Sequence, residues 1–256
     1  MDTVLSGVLL VGGSIVISVL VLFLIRRFAD VERLRKYNEV ASYFFLTLGT
    51  LYSVLVAFGI FVVWSDYKEA ATNLQHEATE VADLSRLSTL LPMPLRKDIS
   101  NSLIEYLNAV VQDEFPAMAQ RHDSPRTWDA VQKLWEAYNA KQLDTPQYQA
   151  IYAESLKHLT ELSDLRRTRL FASRGTVPGN LWILLIAGGI LLVAFTYFFG
   201  HGSVRSQAIM TAILAGILSF SLFLIASLDT PYSGIERVTP RPFVMELTHV
   251  AARAPK

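Results

Sequence analysis

Four stretches of the chain, 3–25, 40–65, 175–200 and 206–228, contain no charged side chain. Each exceeds the roughly 20 apolar residues that a helix needs to cross about 30 Å of hydrocarbon. Only helices and closed barrels satisfy every backbone N–H and C=O in lipid. Barrel strands would be about 10 residues long and alternate in polarity, whereas these stretches are continuously apolar. Four transmembrane helices are therefore predicted, at about 3–25, 40–64, 178–200 and 206–228.

Between the second and third stretches the pattern changes to helical amphipathicity. Leu74, Ala78, Val81 and Leu84 recur at helical spacing in a segment free of proline and glycine, so span two is expected to continue into water as one long helix. Pro92 and Pro94 end it. A second helix carries Leu95, Ile99, Leu103, Tyr106 and Val110 on one face and is expected to stop near Pro116. A third, after Ser124–Pro125, presents Trp128, Val131, Trp135 and Tyr138, an aromatic stripe read as packing. A fourth starts at Thr145–Pro146, threonine capping and proline in the first turn, with Tyr148, Tyr152, Leu156, Leu159 and Leu162 on its apolar side. Beyond Asp229 the prolines at 231, 240 and 242 predict an extended tail. The fold class is thus all-α: an integral membrane protein with four transmembrane helices (within 1–64 and 177–228), a helical water-exposed domain at 65–176 inserted between spans two and three, and an extended tail at 229–256.

Composition narrows the function. Of 256 residues 52% are hydrophobic and 18% charged, and the 23 basic and 23 acidic side chains cancel, which gives no reason to expect a nucleic-acid partner. The absence of cysteine excludes disulfides and thiol chemistry. No metal site, cofactor or catalytic constellation is expected: His76–Glu77 begins a zincin-like helix, but Glu80 stands where the second histidine is required. The first apolar stretch follows an N-terminus without basic residues, the reverse of a cleavable secretory signal. The loop after it holds Arg26, Arg27, Arg33, Arg35 and Lys36, and Arg166, Arg167, Arg169, Arg174, Arg237 and Arg241 roughly balance them near the other span ends. The shortness of this loop assigns it to the cytoplasm of a bacterial inner membrane by the positive-inside rule. The N-terminus, inserted domain and C-terminus are then expected outside.

Three groups of residues are candidates for function. Span two carries Thr47, Thr50, Ser53 and Ala57 with the bulky Phe58 and Phe61, either packing residues or the lining of a pore with an apolar constriction. Glu69, Asn73, His76, Glu80 and Asp83 form one polar stripe on the continuation of span two, a solvated face or, with Asp229 at the end of span four, the lining of a vestibule and pore mouth. Glu77, Glu80 and Asp83 lie as far beyond span two as Arg166, Arg167 and Arg169 lie before span three, so acid–arginine pairs between the first and fourth domain helices are predicted. Span four places Thr211, Ala215 and Ser219 at helical spacing beside Gly216, a pattern of close helix packing.

The segments TLYSVLVAFGIFVVWSDY (50–67) and EATEVADLSRLSTLLP (77–92) resemble the prokaryotic bestrophin-like membrane family. LRRTRL (165–170), Leu181–Trp182, Gly188–Gly189 and LDTPYSGIERVTPRPF (228–243) follow in the same order, so the resemblance covers roughly 43–243. It implies a homo-oligomeric ion channel with span two along the pore, as in bestrophins proper. The tail departs from the acidic calcium clasp of those proteins, having only Asp229, Glu236 and Glu246, so calcium gating is not implied. The large domain of bestrophins proper is also cytoplasmic. The expected partners are membrane lipid, inorganic ions and further copies of the chain, about four or five around an axis. The acidic stripe favours cations. The alternative is a non-conducting scaffold or envelope sensor whose helical domain binds a partner.

Overall fold

The computed structural model describes residues 2–28, 30–139, 145–234 and 236–255. Among the described residues there are helices and no strand. In chain order they are α1 (Asp2–Phe28), α2 (Val31–Lys36), α3 (Asn38–Ser88), α4 (Met93–Ala109), a π-helical turn (Val110–Glu114), α5 (Phe115–Met118), α6 (Pro125–Asn139), α7 (Pro146–Ala172), α8 (Gly179–Phe195), a 3₁₀ turn (Thr196–Phe198), α9 (Val204–Leu228) and α10 (Arg241–Arg253). Four of these helices are long and apolar enough to cross a membrane. Contacts divide the chain into two units, 1–65 with 176–229, and 66–175 with 230–256. Helix α3 contributes span two to the first and its continuation to the second.

In the membrane unit, α9 packs along α1 and α8. The small residues of span four account for the closeness: Thr211, Ala215 and Ser219 are buried, and the Ser14 hydroxyl donates to Ser219 Oγ at 2.8 Å. Span two docks through Tyr52, whose ring lies on Gly188 and Gly189. A Cβ on Gly188 would fall 2.7 Å from that ring, so only glycine admits it. The Tyr52 hydroxyl donates to Leu185 O at 2.8 Å, which satisfies its polar end inside the bundle. The two connections between spans are also tied. Asn38 donates to Gly200 O at 3.1 Å and accepts from Gly200 N at 2.9 Å, and Arg26 donates to His201 O.

In the inserted unit, Leu74, Val81 and Leu84 of α3 join Ile99, Leu103 and Tyr106 of α4, Leu134 and Tyr138 of α6, and Leu159 and Leu162 of α7 in one core. Thr145 caps α7 by accepting from Tyr148 N at 3.4 Å, with Pro146 in the first turn. Gly175, at φ 85°, ends the turn that follows α7 in a conformation glycine tolerates best.

Two sequence expectations need correction, for the tail and for the end of span three. The second domain helix ends at Met118, two residues beyond Pro116, after a π turn. A π turn widens the ladder and accommodates a residue that lacks its N–H. The tail is not extended throughout, because Arg241–Arg253 is helical. Pro242 sits in its first turn, where the missing donor costs nothing, and Phe243 and Val250 are buried in the inserted unit's core. Span three ends its α-helix at Phe195 and tightens into a 3₁₀ turn before residue 200.

Candidate functional site

The polar centre of the inserted unit is fully buried. Arg169 of α7 meets Glu77 of α3 through Nε to Oε2 at 2.7 Å and Nη2 to Oε1 at 3.0 Å. The same Nη2 reaches Glu114 Oε2 at 2.6 Å, and Arg166 Nε donates to Glu114 Oε1 at 3.1 Å. Tyr106 donates to Glu77 Oε1 at 2.6 Å. Two carboxylates and two guanidiniums cancel, and the bidentate geometry fills most of the Arg169 fork. Burial alone would lower the Arg169 pKa, but the carboxylates of Glu77 and Glu114 hold it well above the usual value. Burial, reinforced by the Glu77 charge, raises the Tyr106 hydroxyl well above its ordinary value despite the opposing Arg169. The Arg166 guanidinium also lies 4.3 Å from the centre of the Trp128 ring.

Of the predicted ion-pair residues, the structure brings Glu77 and Arg169 together. Arg166 is instead paired with Glu114, which sequence reading did not select. Glu114 sits at the end of the π turn, and no spacing rule links it to a residue 52 positions away. Glu80 does reach α7, but its partner is His158 Nδ1 at 2.6 Å. Asp83 and Arg167 pair within their own helices, with Arg86 at 2.6 Å and Asp164 at 3.5 Å. A partner one turn away is reached without ordering a second helix. On the aromatic stripe, Val131 and Tyr138 are buried and Trp135 Nε1 donates to Ser163 Oγ at 3.2 Å.

The vestibule candidates divide. Glu69 and His76 are exposed, while Glu80 and Asp83 are partly covered and ion-paired, so the stripe carries less free negative charge than the sequence suggested. Asp229 is not a free mouth residue. Its Oδ1 accepts from Thr176 N and Val177 N, both at 2.9 Å, so it is buried as a clamp on the chain leading into span three. That bond answers why an acid stands at a helix C-terminus, where the dipole disfavours it. Among the described residues no group of acids and histidines is arranged to hold a metal ion.

Span two has two unlike faces. Tyr52, Gly59 and Val63 are covered by the chain. Thr47, Thr50, Ser53, Ala57, Phe58 and Phe61, the pore-lining candidates, are all left exposed on another face. Thr47 donates to Tyr43 O, Thr50 to Leu46 O and Ser53 to Thr50 O, at 2.8–2.9 Å. Each hydroxyl proton is thus held by the helix itself and the oxygen lone pairs turn outward. The exposed large residues of the other spans are mostly aliphatic, such as Val16, Ile17 and Leu20 of α1, Ile183 and Ile190 of α8, and Ile213 and Ile217 of α9, with Phe23, Met210 and Phe220 among them.

The fold is that of a multi-span helical membrane protein with a helical domain inserted between its second and third spans. Solved structures share it. A bacterial bestrophin homologue from Klebsiella pneumoniae is 13% identical with a TM-score of 0.65, covering 94% of this chain and 97% of that one. A single-residue variant of that homologue reaches a TM-score of 0.71 at 12% identity, with 95% and 98% covered, and a single-residue variant described only as a membrane protein 0.68 at 12%, with 96% and 99% covered. At such identities the likeness establishes the fold alone. The chain belongs to the bestrophin-like family, whose domain matches residues 12–243. No curated protein matches the sequence.

Proposed function

We propose that the protein is a homo-oligomeric passive ion channel whose permeation path is lined by the exposed face of span two. The observation that carries this reading is the contrast between spans. Three hydroxyls, Thr47, Thr50 and Ser53, fall within two turns among the exposed Leu46, Leu51 and Val54, a density of outward oxygens that lipid does not require and that the mainly aliphatic and aromatic outer faces of the other spans lack. Thr47, Thr50, Ser53 and Ala57 would form the polar stretch of the path. Phe58 and Phe61 would form an apolar constriction, which gates by dewetting without any ionisable group. Outward lone pairs suit a partly dehydrated cation, so the preference expected is for cations, resting on these oxygens rather than on the acidic stripe. Glu69 and His76 would stand in the vestibule beyond. Closing a path of this kind around an axis takes about four or five copies.

The test is ion flux into liposomes holding the pure protein. Potassium flux that exceeds chloride flux and rises in Phe58→Ala or Phe61→Ala supports the proposal; no flux under any gradient sinks it. Native mass in detergent separates the channel from a non-conducting scaffold or sensor, for which a monomer or dimer is expected. The membrane is read as the bacterial inner membrane with the α1–α3 loop in the cytoplasm, because Arg205 adds to the five basic residues there and the two loops are tied through Asn38 and Gly200. The N-terminus, the inserted domain and the C-terminus would then be outside. Alkaline phosphatase fused to the C-terminus is expected to be active; activity only of a cytoplasmic reporter there would give the arrangement of bestrophins proper.

A further inference from the structure

A second feature of the membrane unit is independent of conduction. Where α3 begins and α9 begins, a cavity of about 440 Å³ opens between Ser42, Phe45, Phe199, Gln207 and Thr211. Gln207 is 4% exposed, and its amide is fixed: Nε2 donates to Thr196 O at 2.9 Å and to Phe199 O at 3.1 Å. Both donors being used, the amide oxygen is the end that remains, and it is buried in the cavity lining without a partner. The other polar lining is of the same sense. Ser42 gives its proton to Asn38 O. Thr196 gives its proton to Val193 O, which leaves Thr211 as the donor in their 3.0 Å contact. Ser42 and Thr211 therefore present lone pairs, and Asn38 has both amide atoms engaged with Gly200.

The lining is thus rich in acceptors and poor in donors, with Phe45 and Phe199 packed edge to face as aromatic walls. Acceptors beside aromatic rings suit an N–H-bearing cation. The two connections at this end, however, are net basic: Arg26 bonds the backbone of His201 at the cavity wall, and Arg27, Arg33, Arg35, Lys36 and Arg205 outnumber Asp30, Glu32 and Glu39. A simple cation would be repelled there. A zwitterion that carries its ammonium next to a phosphate meets both demands. The cavity also lies at the loop ends of the spans, the depth at which lipid headgroups sit.

We propose that this cavity binds the headgroup of a primary-amine phospholipid, its ammonium donating to Gln207, Ser42 and Thr211 and its phosphate facing the arginines of the connecting loops. The proposal separates lipids that differ only in N–H groups. In native mass spectrometry of the intact detergent-solubilised assembly, phosphatidylethanolamine should be retained and phosphatidylcholine, whose trimethylammonium has no donor, should bind about tenfold more weakly, the equivalent of one charge-assisted hydrogen bond. Thr211→Val and Ser42→Ala each remove one acceptor from the cavity, together with a hydroxyl proton that serves only the protein's own Thr196 or Asn38, and should reduce phosphatidylethanolamine binding about three- to tenfold while leaving phosphatidylcholine binding unchanged. Gln207→Met should abolish the difference between the lipids. Ser42 is exposed, so its alanine variant gives a reading even where the buried substitutions disturb folding. Equal retention of the two lipids by the unaltered protein overturns the proposal, as does a preference that is undiminished in both Ser42→Ala and Thr211→Val. Displacement of the lipid by free ethanolamine at equal concentration would assign the site to a soluble amine and overturn the lipid assignment.

Discussion

The two units of this chain hide polar groups in opposite ways. In the membrane unit charged ties, Arg26 to His201 O and Asp229 to Thr176 N and Val177 N, stand at span ends. Between the spans the bonds are made by neutral side chains: Tyr52 to Leu185 O, Tyr197 to Ser18 O, Gln207 to Thr196 O and Ser14 to Ser219. The inserted unit buries two arginines and two glutamates completely and lets each satisfy the other. Removing a charge from water costs several kcal/mol, so a buried ion is tolerable only where its partner is guaranteed. A folded, water-facing domain with four helices converging on one point can guarantee it. Spans that insert separately cannot, since an ion on a lone helix would stand unpaired in hydrocarbon, and neutral hydroxyls and amides that bond their own backbone avoid that cost.

The contrast can be broken most sharply at Arg169. Arg169→Met strands Glu77 and Glu114 in the core and should destabilise the inserted unit by about 3–5 kcal/mol, read from denaturant unfolding followed by Trp128 and Trp135 fluorescence. Alkali tests the same core more broadly. Burial raises the hydroxyl pKa of Tyr106, Tyr138 and Tyr232 above the ordinary value of 10.0. Above that value the unfolded chain loses these protons while the folded chain keeps them. Their contribution is therefore complete below pH 10 and is lost as pH climbs towards the raised values. The melting temperature of the inserted unit should fall above pH 10, and less steeply in Tyr106→Phe.

Smaller effects sharpen the membrane side. Gly188→Val drives two methyl groups into the Tyr52 ring and should cost about 1–3 kcal/mol in unfolding from detergent micelles. Tyr52→Phe keeps the ring and loses one neutral bond, so about 0.5–1.5 kcal/mol is expected. Its effect falling well below that of Arg169→Met is the quantitative form of the comparison; equal losses would refute it. Arg167→Ala, which gives up only a 3.5 Å intrahelical contact at the surface, should leave melting unchanged.

Much of this was legible in one dimension because its causes are local. Uncharged stretches longer than a bilayer is thick dictate the spans, and Thr145–Pro146 and Pro92–Pro94 mark helix ends through their own backbone chemistry. The polar stretch of span two is visible as residue types at helical spacing, and so is the acidic segment facing a basic one. That Glu77 takes Arg169 while Arg166 takes Glu114 is not visible, because a π turn rotates Glu114 into the core from a helix whose regular pattern gives no hint of it. The helix in the proline-rich tail was masked by the prolines themselves, which read as breakers until Phe243 and Val250 are seen to have a core to enter.

What the sequence alone determined is the number of spans, the helical character of the insertion and the chemistry available on each face, since these follow from transfer free energies and backbone preferences of short segments. Only the tertiary structure decided which face of span two stays uncovered, which acid neutralises which arginine, that Asp229 clamps the approach to span three, and that the amide oxygen of Gln207 is left facing a cavity. Each of those depends on where two segments distant in sequence meet, and that is fixed by the packing of the whole rather than by the preference of either part.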